Sequence, residues 1–377
     1  MPPWDKVANV WKNVQEVDLR PIRREAERRT MLALAGQAGS GRRALVDLLR
    51  IDPSRPQEPA AAPVRIVDLD DPDTAGAADL IILLIPGNQD EVAAEQQIVN
   101  RWIATGKSVL VVINQPTALN SQAIDGWRDW GTAKVIMGPL ESLDFLLDTL
   151  APAVIGLLPG RQLSLGRHFP LLRMPIALQL INDTCFSNAV YSFSTGLAEI
   201  VPVLDIPLNI ADILVLTKAQ ALLVYRLGLL LGLSTDWQYY IAELGSVIGG
   251  GFLWRQAARQ LVGLIPVWGI IPKVAVAYAG TYVVGHAMLR WYQTGRHLSR
   301  KELGALYRQA FDSGKKLAGS LRSRMPRPRL RRRKTAALPE RTGGKTCPAC
   351  SASNDDDATY CKTCGTALEI TAGQGPS

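Results

Sequence analysis

Between residues 31 and 150 short apolar runs alternate with stretches of helical periodicity. Met31–Ala35, Val64–Leu69, Leu80–Ile85, Ser108–Ile113 and Ala133–Met137 read as strands, and Ala44–Arg50, Asp90–Thr105, Ser121–Trp130 and Glu141–Leu150 as helices. Near-continuous apolar strands separated by helices predict a parallel sheet covered on both faces, and ligands of such sheets bind outside the carboxyl ends of the strands. Upstream, Trp4, Val7, Val10, Trp11, Val14 and Val17 fall at helical spacing opposite Asp5, Lys6, Lys12, Gln15 and Glu16, giving an amphipathic helix that Pro21 ends. Two uses stay open for it: its tryptophans pack on the following domain, or they anchor it at a membrane interface. Ile22–Arg29 reads as a second, highly charged helical turn.

After residue 150 the pattern changes. Gly156–Pro175, with Pro159, Gly160, Gly166, Pro170 and Pro175, reads as a linker. From Ile176 to Tyr292 the chain is mostly apolar and helical, with long helices over Ala211–Gly232 and Val274–Tyr292. Each follows a proline-containing apolar bend, Ile200–Leu208 and Leu264–Lys273, so a repeated bend-helix unit is expected. Gln260–Gly285 supplies 26 residues with Lys273 as the only formal charge. A bilayer span needs about 20 residues, so a transmembrane helix is among the expectations. Lys273 near the middle, Pro266 and Pro272, and the charges Asp205, Asp212, Lys218 and Arg226 in the other long helix argue for a soluble bundle instead. Ser299–Gly319 reads as a short amphipathic helix.

Composition narrows the classes. An apolar fraction of 47% over 377 residues supports real cores and two or three domains, and excludes a disordered chain. The net charge of +8 is matched by the eight basic residues of Arg322–Lys334, a stretch without acids. Attraction to lipid headgroups or nucleic acid is therefore local. Prolines and like charges keep that stretch extended, and no aromatic residue interleaves its arginines, which weakens the RNA reading. No apolar run follows the first charges, so no cleaved signal peptide is expected. Of five cysteines four cluster near the end, and Cys185 stands alone in an apolar stretch as a buried, inert thiol. The usage is that of a reduced, cytoplasm-facing protein.

The first chemical motif is Gly36-Gln-Ala-Gly39-Ser-Gly41-Arg42-Arg43, between a strand and a helix. Its glycines match a phosphate-binding loop, but Arg42 stands where the lysine belongs and Arg43 where a magnesium-binding hydroxyl belongs. The order of elements over residues 30–150 resembles the Era-like small GTPases. On that resemblance Gly36, Gly39, Gly41 and Arg42 would touch nucleotide phosphate. Asp68 and Asp70 of Val67-Asp-Leu-Asp-Asp-Pro72 stand for the acid of Asp-x-x-Gly, without its glycine. Asn114-Gln-Pro-Thr117 stands for Asn-Lys-x-Asp and keeps only the asparagine. Three independent departures imply a degenerate domain, with GTP or another nucleotide a doubtful ligand and no catalytic residue named.

Val201-Pro-Val-Leu-Asp-Ile-Pro-Leu208, the Gln220–Leu233 helix, Leu264-Ile-Pro-Val-Trp-Gly269 and Thr281-Tyr-Val-Val-Gly285 resemble the YcjF-like domains that accompany bacterial GTPase domains. That resemblance implies membrane association and supplies no catalytic residues. The strongest motif is Cys347-Pro-Ala-Cys350, ten residues, then Cys361-Lys-Thr-Cys364. Two such knuckles point four thiolates at one tetrahedral Zn²⁺, a closed structural site. With Tyr360 and Gly365 the segment resembles small bacterial zinc ribbons, which imply protein or nucleic-acid partners.

The expected organisation is an amphipathic helix (1–30), a degenerate P-loop GTPase-like α/β domain (31–155), a YcjF-like all-α domain (176–295), an amphipathic helix with a basic linker (296–340) and a zinc ribbon (345–368). The expected function is a membrane-associated scaffold or regulator with little or no hydrolytic activity, the alternative being an active GTPase at the membrane. Expected partners are membrane lipids, proteins through the ribbon and, as a further candidate, nucleic acid through the basic linker; no small-molecule substrate is expected. The expected location is the cytoplasmic side of the bacterial inner membrane, or the cytoplasm.

Overall fold

The computed structural model describes residues 18–89, 91–114, 130–198, 208–237, 240, 270–324, 344–355 and 358–368. The amphipathic helix before Asp18, the Ser121–Trp130 helix up to residue 129, most of both proline bends and the basic linker beyond Arg324 lie outside these residues. In order come α1 (Arg20–Glu27), β1 (Leu32–Gly36), α2 (Arg42–Leu49), β2 (Val64–Val67), β3 (Leu80–Pro86), α3 (Ala93–Ala104), β4 (Ser108–Asn114) and β5 (Lys134–Gly138). Next is α4 (residues 143–157), in which a π-type turn, Leu146–Leu150, separates α-helical Leu143–Phe145 from Ala151–Leu157. There follow α5 (Gln162–His168), α6 (Arg173–Ala198), α7 (Leu208–Leu230), α8 (Ile270–Thr294), α9 (Arg300–Arg324) and two short strands, β6 (Lys345–Thr346) and β7 (Ser353–Asn354).

All five long strands are parallel, in the order β2-β1-β3-β4-β5. Every register pairs residues of equal parity, for example Leu32 with Val64 and Leu80, and Leu80 with Ser108. Side chains alternate across a strand, so parity decides the face. Odd residues Ala33, Ala35, Val67, Ile81, Leu83, Val109 and Val111 pack under α3 with Val99, Trp102 and Trp130. Even residues Leu32, Leu34, Leu80, Ile82, Leu84, Leu110 and Val112 enter a second core containing Leu45, Phe145, Phe169, Ile176, Tyr225 and Leu289. The helical region therefore shares a core with this face of the sheet, on which α2 and α4 pack at β1 and β4, and residues through Arg324 form one compact unit.

Polar staples hold the same junction. Asp52, 4% exposed, faces Arg173 Nη1 at 3.6 Å and accepts from Ser54 N and Oγ at 2.9 and 2.6 Å. Asp79 joins Arg161 at 2.8 Å, Glu25 accepts from Leu163 N at 3.0 Å, and the buried hydroxyls of Thr30 and Ser164 lie 2.6 Å apart. Arg55 donates to the backbone oxygens of Tyr292 and Gln293 at the end of α8.

The expected linker at Gly156–Pro175 is instead part of this core. Leu163, Leu165, Phe169, Leu171 and Leu172 are buried. Its glycines and prolines serve packed helices: Pro170 opens a 3₁₀ turn, where a missing N–H costs nothing, and a Cβ on Gly166 would come within 2.0 Å of Leu230.

Among the described residues no helix is long and apolar enough to cross a membrane, which corrects the expected transmembrane helix. Residues 260–269 of the candidate lie outside the description, and the remainder begins α8. That helix packs against α6, α7 and α9, so it is apolar on several sides as a central bundle helix must be. Polar groups interrupt its apolar surroundings: buried Thr281 Oγ1 accepts from Asn188 Nδ2 at 2.8 Å and Gln220 Nε2 at 3.3 Å and donates to Ala277 O at 2.9 Å.

Removing one partner of a buried pair strands the other, so Asp52→Ala should cost about 3 kcal/mol, read as a lower urea midpoint at unchanged m value; an unmoved midpoint would refute the staple. Burial pushes the Cys185 thiol up to about 12. It is therefore protonated and inaccessible at pH 8, and of the five thiols it should react with a disulfide reagent only after denaturation, even with the other four stripped of metal by chelator.

Candidate functional site

Neighbouring strands of β1 are connected in opposite directions, to β2 on one side and β3 on the other, which opens a crevice at the carboxyl ends of β1 and β3. The glycine loop falls there. Gly36 ends β1 with φ 147°, and a Cβ on it would lie 2.5 Å from Leu84 O and 2.6 Å from Ser40 Oγ, so only glycine lets the loop turn this close to β3. Gly39 and Gly41 also have left-handed φ values, 84° and 100°. Gly41 is the N-cap of α2 and has no side-chain cap, leaving the first N–H groups of the helix facing the loop.

Arg42 points away from that space. Its Nη1 donates to Val67 O at 2.7 Å and to Asp68 Oδ1 at 2.6 Å. The Arg42 side chain is 12% exposed and that of Asp68 73%. Two expected ligand groups, one for phosphate and one for magnesium, are thus spent on each other. Because Asp68 is so exposed, the ion pair stabilises by at most about 1 kcal/mol, and the better-shielded Val67 bond adds about another 1 kcal/mol. Arg43 is exposed on the first turn of α2, and Asp70 is exposed on the turn after β2.

Asn114, at the end of β4, accepts from Leu140 N at 3.2 Å through Oδ1 while its Nδ2 lies against Gly41. It ties the turn after β5 to the glycine loop. Residues 115–117 of the same motif lie outside the described residues. The sequence reading missed Glu95, in the first turn of α3 and only 3% exposed. Its Oε1 accepts from Gln37 Nε2 in the loop and from Gln89 Nε2 after β3, both at 2.8 Å. Ser40 Oγ is buried with no hydrogen-bond partner among the described residues. Nothing in a helix with one acid among polar residues marks Glu95 in advance; the signal was its place just beyond β3 at the crevice. Among the described residues Arg42 and Arg43 stand against Asp68, Asp70 and Glu95, so the loop offers no surplus of side-chain positive charge to a polyphosphate.

The second site stands by itself at the end of the chain. Cys347, Cys350, Cys361 and Cys364 bring four sulfurs within 4.8 Å of one another. Cys347–Cys364 and Cys350–Cys361 are each 3.6 Å apart, close to the edge of about 3.8 Å for a tetrahedron with 2.3 Å metal–sulfur bonds. The two knuckles repeat one geometry. Cys347 N and Cys361 N donate to Ala352 O and Thr366 O, and Ser351 N and Gly365 N donate back to Cys347 O and Cys361 O. Ser351 and Gly365 share a left-handed φ, 59° and 74°.

Donors surround the sulfurs. Thr363 N and Asn354 Nδ2 reach Cys361 Sγ at 3.4 and 3.6 Å, and Asn354 Oδ1 accepts from Lys362 N at 2.9 Å. The N–H groups of Cys364 and Thr363 hold the Cys361 thiol down at about 6, and Thr366 lowers that of Cys364. At Cys350 the Ala352 N–H works downward, but the Cys364, Cys361 and Cys347 sulfurs retain the proton and take it up to about 12. These residues could hold one ion such as zinc.

Proton competition fixes a pH dependence: Cys350 gives up its proton to the metal at any pH below about 12 and Cys361 also does so below about 6, so apparent metal affinity should fall with pH throughout and more steeply below about 6. A pH series with a chromogenic chelator would measure it, and an affinity flat from pH 7 to 5 would refute it. Cys361→Ser should lower bound metal from one ion per chain to a small fraction, measured by atomic absorption. A scan against protein-family models and a search of curated proteins gave no match to this chain.

Proposed function

We propose that this chain is a membrane-associated scaffold or regulatory protein built on a degenerate Era-like GTPase frame, with little or no hydrolytic activity. Its helical region is YcjF-like and its terminal four-cysteine site is a structural zinc ribbon that docks partner proteins. The single observation that supports it most is the Arg42–Asp68 pair. A working loop needs a free cation on the outer phosphates and a hydroxyl and acid around magnesium. Here the cation and the acid neutralise one another, and Arg43 offers no hydroxyl.

Magnitude decides between blocked and merely weakened binding. Releasing Arg42 costs about 1–2 kcal/mol, on the order of tenfold in affinity, which a triphosphate could overcome. The missing magnesium hydroxyl and guanine-reading aspartate are not recoverable in that way. Weak binding without turnover is the outcome this predicts. Zinc is the metal that four thiolates in a closed tetrahedral set suit best in a small fold. The protein acts at the cytoplasmic face of the bacterial inner membrane, held peripherally.

Purified full-length protein, incubated with magnesium and GTP or ATP, should release no phosphate above the buffer rate. Magnesium-dependent release abolished by Arg42→Ala would overturn the scaffold reading in favour of an active NTPase.

A further inference from the structure

A cavity of about 270 Å³ opens between α6 and α7. Its lining positions recur every three or four residues along both helices, which keeps them on one face of each. The two faces differ in chemistry. α7 supplies a cation, Arg226, beside Leu222 and Leu223, and α6 supplies acceptors, beginning with Asp183.

Arg226 is half-buried, and neither it nor Asp183 has an ion-pair or hydrogen-bond partner among the described residues. Arg226 Nε is buried as well as unpartnered. A donor left in that state is destabilising, so an acceptor beside it completes the site. The guanidinium edge formed by Nε and one Nη is the one that takes a carboxylate through two parallel bonds. Asp183 stands exposed on the rim of the cavity. In the wall, Asn188, 3% exposed, donates through Nδ2 to Thr281 Oγ1 at 2.8 Å and keeps Oδ1 as an acceptor. Thr184 gives its hydroxyl proton to Leu180 O at 2.7 Å, so it too is left as an acceptor.

We propose that this cavity binds a free amino acid with an apolar side chain, its carboxylate on Arg226, its ammonium among the acceptors of α6 and its side chain against Leu180, Leu222 and Leu223. A site that sets one unpaired cation against one unpaired anion favours a ligand carrying both charges, because a simple acid meets Asp183 and a simple amine meets Arg226 as a like charge. The volume falls just below the roughly 300–1,000 Å³ of pockets that bury drug-sized ligands. It suits an amino acid and is too small for a nucleotide or a phospholipid. The lining holds no histidine, cysteine or lysine, so the ligand is held rather than transformed. The inference stands apart from the scaffold reading, since it uses neither the glycine loop nor the four-cysteine site.

The test is isothermal titration of the full-length, metal-loaded protein with L-leucine and L-phenylalanine. Beside them are titrated isocaproate and hydrocinnamate, which lack the ammonium, and isoamylamine and phenethylamine, which lack the carboxylate. At least one of the amino acids should bind, and its two analogues should bind about tenfold or more weakly. Arg226→Gln and Asp183→Asn each remove a charge without a described partner, so each should weaken binding by about tenfold or more at an unchanged melting temperature. Should Arg226→Gln fail to fold, the exposed Asp183→Asn decides alone. Heat-silent titrations with no shift of the melting temperature by either amino acid overturn the site. An analogue that binds as tightly as its parent overturns recognition of both charges, and variants that bind like the wild type overturn the location.

Discussion

Leu32, Leu34, Leu80, Ile82, Leu84, Leu110 and Val112 leave one face of the sheet and enter the same apolar core as Ile176, Tyr225 and Leu289 of the helical region. At roughly 2 kcal/mol for each fully buried side chain, the seven contribute on the order of 14 kcal/mol, as much as the whole net stability of a typical domain. Leu45, Phe145, Leu150 and Val154 of α2 and α4 lie in the same core, so the helical region extends a cover that these two helices begin. Much else follows from this covering. The segment after α2 sends Asp52 and Arg55 to α6 and α8, and α5, with its glycine and nearby prolines, is pressed into the joint.

The glycine loop keeps its path because close contacts enforce it. Gly36 touches the backbone of β3, Gly41 touches Asn114, and Asn114 holds the turn beyond β5. Each of these contacts is one of shape. The charged groups that would do chemistry have found other partners, Arg42 at the end of β2 and Glu95 with two glutamines. The path of the loop therefore does not depend on where Arg42 and Glu95 find their partners, since backbone geometry and side-chain charge are separate requirements.

The terminal four-cysteine site is organised on the opposite principle. Among the described residues it has almost no apolar core, Leu368 being the only large aliphatic side chain in its cluster. Order comes from two equivalent knuckles whose backbone hydrogen bonds aim the sulfurs inward, and a bound ion would supply the cohesion that a core supplies elsewhere.

Local sequence determined the elements. Five apolar runs became the five strands within a residue or two, because β-branched and leucine-rich segments between turn residues have few alternatives. The Cys-x-x-Cys spacing determined the four-cysteine cluster, since two knuckles need only short-range geometry. Tertiary structure alone decided the rest. The apolar character of α8 is the same whether its neighbours are lipids or helices, and only its packing on α6, α7 and α9 distinguishes them. Gly166 and Pro170 carry linker composition, yet close packing against Leu230 and the start of a turn are what use them. The partner of Arg42 lies 25–26 residues ahead in the chain, and the burial of Glu95 depends on a crevice between strands. Long-range proximity has no periodicity to read, so the fate of these charges was invisible until the sheet was assembled.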